Sequence, residues 1–222
     1  MQNYLRTNMM SLFFSGCSIT WGDELKDRVN ERYSTLVSKH YGCKHVNISQ
    51  CGVSNDYIVR NTIKYLEKIK PDMVVIQFTV NQRIEYFNEN ANIEQWTPQT
   101  IQSKKQRNYY TQIYNDILGV ENLWKNVFLF DAYCKSVGQK YVSIIGDHYE
   151  YTLRRPEKFW ENKIGYWKDM CKDFTPGFLH MDLLGDLTTH PHHYANGSKG
   201  GHPTAEAHKL IADYFIKLID AI

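Results

Sequence analysis

The chain has 222 residues, 42% hydrophobic and 23% charged, which suits one generous core or two small ones at most. Its 26 Lys and Arg against 24 Asp and Glu leave a formal charge of +2, which argues against a global basic field for nucleic acid and against an acidic disordered tail. Apolar runs such as residues 73–76 fall far short of the ~20 residues of a membrane span, and five Cys without a Cys-x-x-Cys pair argue against a disulfide framework or a Cys-based zinc site. Residues 1–10 hold no long apolar stretch and no small-residue cleavage site, so no secretory leader is read, and a reducing, cytoplasmic compartment is the expectation. A mean hydropathy of −0.52 is low for this hydrophobic fraction. The 16 Tyr explain part of it, and Asn and Gln are plentiful between Asn81 and Asn115.

Residues 10–15 read as a strand ending in Gly16. Residues 23–40 are polar and charged, with Leu25, Val29, Leu36 and Val37 as a rough helical stripe and Gly42 as a stop. Residues 45–49 form a short second strand. Residues 54–69 read as a helix with Ile58, Ile63, Leu66 and Ile69 on one side, Ser54 as N-cap and Asp56 in the first turn. Residues 73–78 are β-rich with little alternation, as in a strand buried on both faces. Residues 83–108 show no clear strand or helix, the pattern of a lid or insertion. Residues 109–137 read as helical with a break near Gly119, and residues 139–145 as a further strand. Residues 203–222 close the chain as an amphipathic helix, with Pro203 at its first position and Leu210, Ile211, Phe215, Leu218 and Ile219 buried.

This alternation predicts an α/β fold: a three-layer α/β/α sandwich with a mostly parallel central sheet, flavodoxin-like, as a single domain over 1–222. Ligands in such sheets bind beyond the carboxyl ends of the strands. Four segments stand there. Gly16-Cys17-Ser18-Ile19-Thr20-Trp21-Gly22 follows the first strand, where a serine at a helix start exposes its hydroxyl beside free backbone N–H groups. Asn47-Ile48-Ser49-Gln50-Cys51-Gly52-Val53-Ser54-Asn55 follows the second, with Gly52 in a tight turn. Thr79-Val80-Asn81 follows the third, where an Asn amide can aim into the same crevice. Gly200-Gly201-His202-Pro203-Thr204-Ala205-Glu206-Ala207-His208 precedes the last helix, and a loop imidazole there is a candidate general base.

Taken singly, each segment has an ordinary explanation as an N-cap, a turn glycine, a loop Asn or a surface His. In order and spacing, from Gly16 to Ala212, they resemble the four blocks of the SGNH (GDSL-type) hydrolase superfamily. The resemblance implies acyl transfer, with Ser18 as nucleophile, His202 as general base, and the backbone N–H groups of Ser18 and Gly52 and the amide of Asn81 as the oxyanion hole. The Asn, Gln and Tyr of the expected lid favour a small-molecule or carbohydrate ester, such as an O-acetylated sugar, over a long-chain lipid. No cofactor, metal or nucleic acid is implied. The Gly-x-Ser-x-Gly elbow of α/β-hydrolases is absent, since position 20 is Thr.

Three departures from the family pattern stand out. Cys17 occupies the usual Asp position, Thr79 and Gln82 replace the residues flanking the Asn, and Lys199 stands three residues before His202, where the family has its catalytic Asp. A lysine cannot accept the imidazole N–H. Asp182 and Asp186 are candidate acids by sequence proximity, a backbone carbonyl is another acceptor, and a glycan- or acyl-binding module with weakened turnover is the alternative function. Asn55, Trp96 and Tyr109 are candidate substrate contacts, with Tyr110, Trp160 and Trp167 as further aromatic walls. A metal site at Asp186, His190, His192 and His193, a base role for His190 and a nucleophilic Cys17 are weaker readings. His208 is expected to be structural.

Overall fold

A computed structural model describes residues 10–145, 178–179 and 202–222. In chain order the elements are β1 (Ser11–Ser15), α1 (Ser18–Trp21), α2 (Arg28–Glu31), α3 (Tyr33–His40), β2 (Lys44–Asn47), α4 (Asn55–Ile69), β3 (Met73–Phe78), β4 (Ile84–Phe87) and β5 (Ile93–Trp96). A 3-10 turn (Pro98–Thr100), α5 (Lys104–Asn108), a π-helical turn (Tyr109–Ile113), α6 (Asp116–Val137), β6 (Tyr141–Ile145), β7 (Phe178–Leu179) and α7 (Ala205–Asp220) follow. The main sheet runs β2-β1-β3-β6-β7, and every pairing in it is parallel. The expected α/β/α architecture is therefore the observed one.

Strand alternation sorts the core into two layers. Phe13, Val74, Ile76, Phe78 and Ile145 face Ile58 and Leu66 of α4 and Val120, Trp124, Val127 and Phe130 of α6. Leu12, Phe14, Met73, Val75, Val142 and Ile144 face Tyr33 and Val37 of α3 and Ile211, Phe215 and Ile219 of α7. Burying one such side chain is worth about 1.5–3 kcal/mol against leaving it exposed, so the sheet is fastened from both faces. All six residues of β3 are buried, as its unbroken apolar run predicts.

Several expected boundaries shift. The helix read over 23–40 is two helices, because Arg32 is extended (φ −65°, ψ 143°) between α2 and α3; Val29 is exposed. The break expected near Gly119 lies earlier, at Tyr114–Asn115. There Tyr114 leaves helical geometry and the Asn115 side chain caps α6 by accepting from Leu118 N–H, so Gly119 is inside the helix. Pro203 lies outside α7, whose N-cap is Thr204, accepting from Ala207 N–H. Leu210 and Ile69, expected in buried stripes, are exposed.

The largest difference is in residues 83–108, which are structured. β4 and β5 form an antiparallel hairpin with Ile84 opposite Trp96 and Phe87 opposite Ile93. Its turn is tied by Asn88 Oδ1, which accepts the backbone N–H of Asn90 and Asn92 at 3.0 Å each, and Ala91 adopts φ +58°. Ser103 and Gln106 make a reciprocal capping box for α5. Asn and Gln residues that read as loop composition are thus turn and cap residues. No described helix is long and apolar enough to cross a membrane.

Candidate active site

Ser18 opens α1 at the carboxyl end of β1, 5% exposed. The turn that holds it is shaped by packing and by a polar brace beneath it. A Cβ on Gly16 would stand 2.1 Å from Thr20 Oγ1, so only glycine fits there. Thr20 Oγ1 donates to Gln77 Oε1 on β3 and, its proton thus committed, receives the Tyr33 hydroxyl at 2.7 Å. Burial pushes the Tyr33 phenol far up, which keeps it a donor. Asn47 Nδ2 donates to Thr20 O at 3.0 Å and to Ser34 Oγ at 2.9 Å. The end of β2 is thereby tied to the turn that carries Ser18. Cys17 is buried in the core among apolar neighbours and makes no capping bond, the position of a packed small residue.

Gly52 follows β2 in a turn at φ +75°. A Cβ there meets nothing within 4 Å, so the backbone conformation, rather than close approach, is what calls for glycine. Asn81 follows β3 and is 3% exposed. Its Nδ2 is buried with no hydrogen-bond partner among the described residues, an uncommon state for an amide donor.

Asn55, expected to touch substrate, does something else. Its Nδ2 donates to Thr79 O at 3.0 Å and its Oδ1 accepts Thr79 N–H at 2.7 Å. Both ends of the side chain are used to fix the segment that carries Asn81. Trp96 is also corrected: it is 2% exposed and stacks on Tyr86 with ring centroids 4.1 Å apart, inside the hairpin rather than along a cleft. Tyr109 makes an edge contact with Trp96 and also lines a cavity.

That cavity has a volume of ≈ 350 Å³ and runs from Asn81 to Asp56, Glu85, Tyr109, Gly119 and Asn122. Of the candidate site residues, Asn81 and Tyr109 line it, and Ser18 and His202 do not. Asp56 is held by Asn122 Nδ2 at 2.8 Å and Asn126 Nδ2 at 3.1 Å. A Cβ on Gly119 would come within 2.4 Å of Tyr114 Oη and 2.8 Å of Asn81 O. Glycine inside a helix, normally unfavourable by about 1 kcal/mol, is therefore required by the cavity wall.

His202 lies before α7 with its side chain 18% exposed. Two carboxylates flank it, neither anticipated from the sequence. Glu24 Oε2 accepts the His202 backbone N–H at 3.2 Å and stands 3.2 Å from Nδ1, although the ring N–H is not aligned for a hydrogen bond. Asp23 Oδ2 is 3.8 Å from Nε2. Asp23 N–H in turn donates to Ser18 O at 3.0 Å, which connects the imidazole's surroundings to the turn that carries Ser18. Ser18 Oγ and His202 are not hydrogen-bonded to each other among the described residues. Asp182, Asp186, Lys199, His190, His192, His193, Trp160 and Trp167 lie outside the described residues. His208 accepts Tyr33 N–H at Nδ1, 3.1 Å, and burial lowers it to about 4 with help from His202. It is a neutral core histidine, as expected. Among the described residues, no group of three or more His, Cys, Asp or Glu is gathered as for a metal.

No family model matches the chain, and no curated protein matches it by sequence. Solved structures do match. The chain is similar to a psychrotrophic esterase of Pseudoalteromonas sp., with TM-score 0.59 and 14% identity over 95% of this chain and 97% of that one. It is similar to an acetylxylan esterase of Geobacillus stearothermophilus, with TM-score 0.57, 15% identity and 95% and 94% covered. A protein of Desulfitobacterium hafniense assigned to the lipolytic G-D-S-L family gives TM-score 0.54, 12% identity and 94% and 99% covered. At these identities the likeness establishes the fold.

Proposed function

We propose that this chain, which has the fold of SGNH (GDSL-type) hydrolases, is a serine ester hydrolase with Ser18 as nucleophile and His202 as general base. The observation that carries the reading is Asn81. A buried amide donor without an acceptor among the described residues, at the sheet edge that also carries Ser18, is what a preorganised oxyanion hole requires before substrate arrives. The backbone two residues before it is held by the two hydrogen bonds between Asn55 and Thr79.

In this mechanism Ser18 Oγ attacks the ester carbonyl while His202 takes its proton. The oxyanion is received by the backbone N–H groups of Ser18 and Gly52 and by Asn81 Nδ2. His202 returns the proton to the leaving alcohol, and water hydrolyses the acyl-enzyme by the same steps in reverse roles. The Ser18–His202 hydrogen bond forms in the substrate complex, as catalytic contacts commonly tighten only then.

The substrate class we favour is a small ester with a polar alcohol part, such as an O-acetyl group on a carbohydrate. Its support is the cavity at Asn81, where Asp56, Glu85 and Asn122 stand among Tyr109, Tyr114 and the apolar Ile84, Phe87 and Leu118, a mostly apolar lining with a few polar groups of the kind that orient a small ligand. The segment between β3 and α6 then acts as a lid. It is tethered to α4 by the Arg60–Glu85 ion pair at 2.6 Å and by Gln95 Oε1, which accepts Ser54 N–H at 2.9 Å. The second reading is a glycan- or acyl-binding module, motivated by Lys199 in the family's acid position. Steady turnover of p-nitrophenyl acetate that requires both Ser18 and His202 supports the esterase. Saturable binding of an acetylated sugar by a folded protein without turnover supports the module.

A further inference from the structure

We infer that Glu24 is the positioning carboxylate of His202, supplied from the loop after α1 instead of from the segment preceding the histidine. For its consequence in catalysis this rests on the esterase reading above. The observations come from backbone and side chain alike. Glu24 Oε2 accepts the backbone N–H of His202 at 3.2 Å and lies 3.2 Å from Nδ1 of the same residue. One oxygen thus anchors the start of the residue and lies beside Nδ1, the nitrogen that must carry the proton if Nε2 is to serve as base; Nδ1 is not hydrogen-bonded among the described residues, so a small ring rotation completes the contact.

The chain bends out of its preferred conformation to make this contact. Gly22 caps α1 at φ +80°, and Glu24 follows in the same left-handed region at φ +64°. Glycine would take that conformation freely, whereas glutamate is strained in it. A non-glycine residue kept in left-handed geometry beside a crevice is commonly one whose side chain is needed. Three residues are strained in this way among those described, Glu24, Lys70 and Ala91. Lys70 ends a helix and Ala91 a hairpin turn; only Glu24 faces the imidazole.

Asp23 is the competing carboxylate. It lies 3.8 Å from Nε2, the nitrogen that must be left to receive the serine proton, so it is poorly placed to orient the ring. Among the described residues the other titratable group near His202 is His208, which burial keeps neutral. With Lys199 in the family's acid position, Glu24 performs from block one the work the family assigns to the block containing the histidine. As His202 takes the serine proton, the imidazolium formed is stabilised by the Glu24 carboxylate, and no proton passes to Glu24.

The test uses the full chain and the variants Glu24→Gln, Glu24→Gly and Asp23→Asn. Turnover of p-nitrophenyl acetate is measured alongside NMR of the His202 ring nitrogens at one fixed pH, which reports the tautomer. Glu24→Gln is expected to lower kcat roughly 10³–10⁴-fold with KM little changed, and to shift His202 away from the tautomer that carries its proton on Nδ1. Glu24→Gly suits the left-handed backbone, so it is expected to keep the wild-type Tm while losing turnover to the same degree. That separation is one a purely structural residue would not produce. A wild-type tautomer pattern in Glu24→Gln overturns the inference, as does a larger loss in Asp23→Asn than in Glu24→Gln. If wild-type protein shows no turnover, the esterase reading has failed, and the tautomer alone then decides whether Glu24 positions His202.

Discussion

The main sheet and the segment between β3 and α6 are built on different principles. The sheet is held by apolar side chains pointing alternately into two cores, and each strand end is then free to carry a polar residue over the edge. The β3–α6 segment has little apolar interior. It is held by directional contacts: the Asn88 turn, the Ser103–Gln106 box, the stacking of Tyr86 on Trp96, and Glu85 shared between Arg60 and Gln95 Nε2. The sheet gives the proposed catalytic groups a packed base, while the cavity is walled largely by the directionally held segment. On the proposed function, placement of the site and choice of substrate would fall to differently stabilised parts of one chain.

The strongest challenge to that separation is Trp96→Ala. Removing a buried Trp costs about 3–5 kcal/mol, and here the loss is expected to fall on the segment alone. Limited proteolysis should cut within residues 84–113 while far-UV circular dichroism and the main melting transition stay close to wild type. A single cooperative loss of the whole fold would show that the two regions are one unit. Next in size is Asn81→Ala at the sheet edge, expected to lower kcat roughly 10²–10³-fold with an unchanged Tm, since the amide has no hydrogen bond to lose among the described residues. A large loss of stability with intact kcat would assign Asn81 to the scaffold.

The third prediction concerns the sheet's own core. His208 is held at about 4 in the fold against about 6.5 when unfolded. Because the folded value is depressed, the unfolded chain binds the extra proton first. Stability is then complete above about pH 6.5 and falls as pH drops toward 4, by up to about 3 kcal/mol. Urea melts at pH 7 and pH 4.5 should differ accordingly, and His208→Gln should flatten the difference. Equal pH dependence in the variant would place the sensitivity elsewhere.

The strands were legible because burial on both faces demands unbroken apolar runs, and β3 was read to the residue. The candidate site is legible only as placement: Ser18, Gly52, Asn81 and His202 each lie after a strand or before a helix. Ordered structure in residues 83–108 was hidden because Asn, Gln and Ser serve equally as loop residues and as caps. Their partners, such as Asn88 with Asn90 and Asn92, become evident only with the backbone in place. Asn55 and Trp96 were misassigned for a related reason: a polar or aromatic residue near a crevice has the same sequence signature whether it faces the ligand or braces the wall. Glu24 carried no signal at all beyond its place two residues after Gly22. Its left-handed backbone and its approach to a residue 178 positions away are tertiary facts.

The central claim is that Ser18 is an activated nucleophile. Its most direct measurement is intact-mass and peptide mapping after exposure of wild type, Ser18→Ala and His202→Ala to a fluorophosphonate at pH 8. The account predicts one covalent adduct per chain, mapped to Ser18, absent from Ser18→Ala and formed far more slowly in His202→Ala. A folded wild-type protein that stays unlabelled, or that is labelled equally in Ser18→Ala, would contradict it.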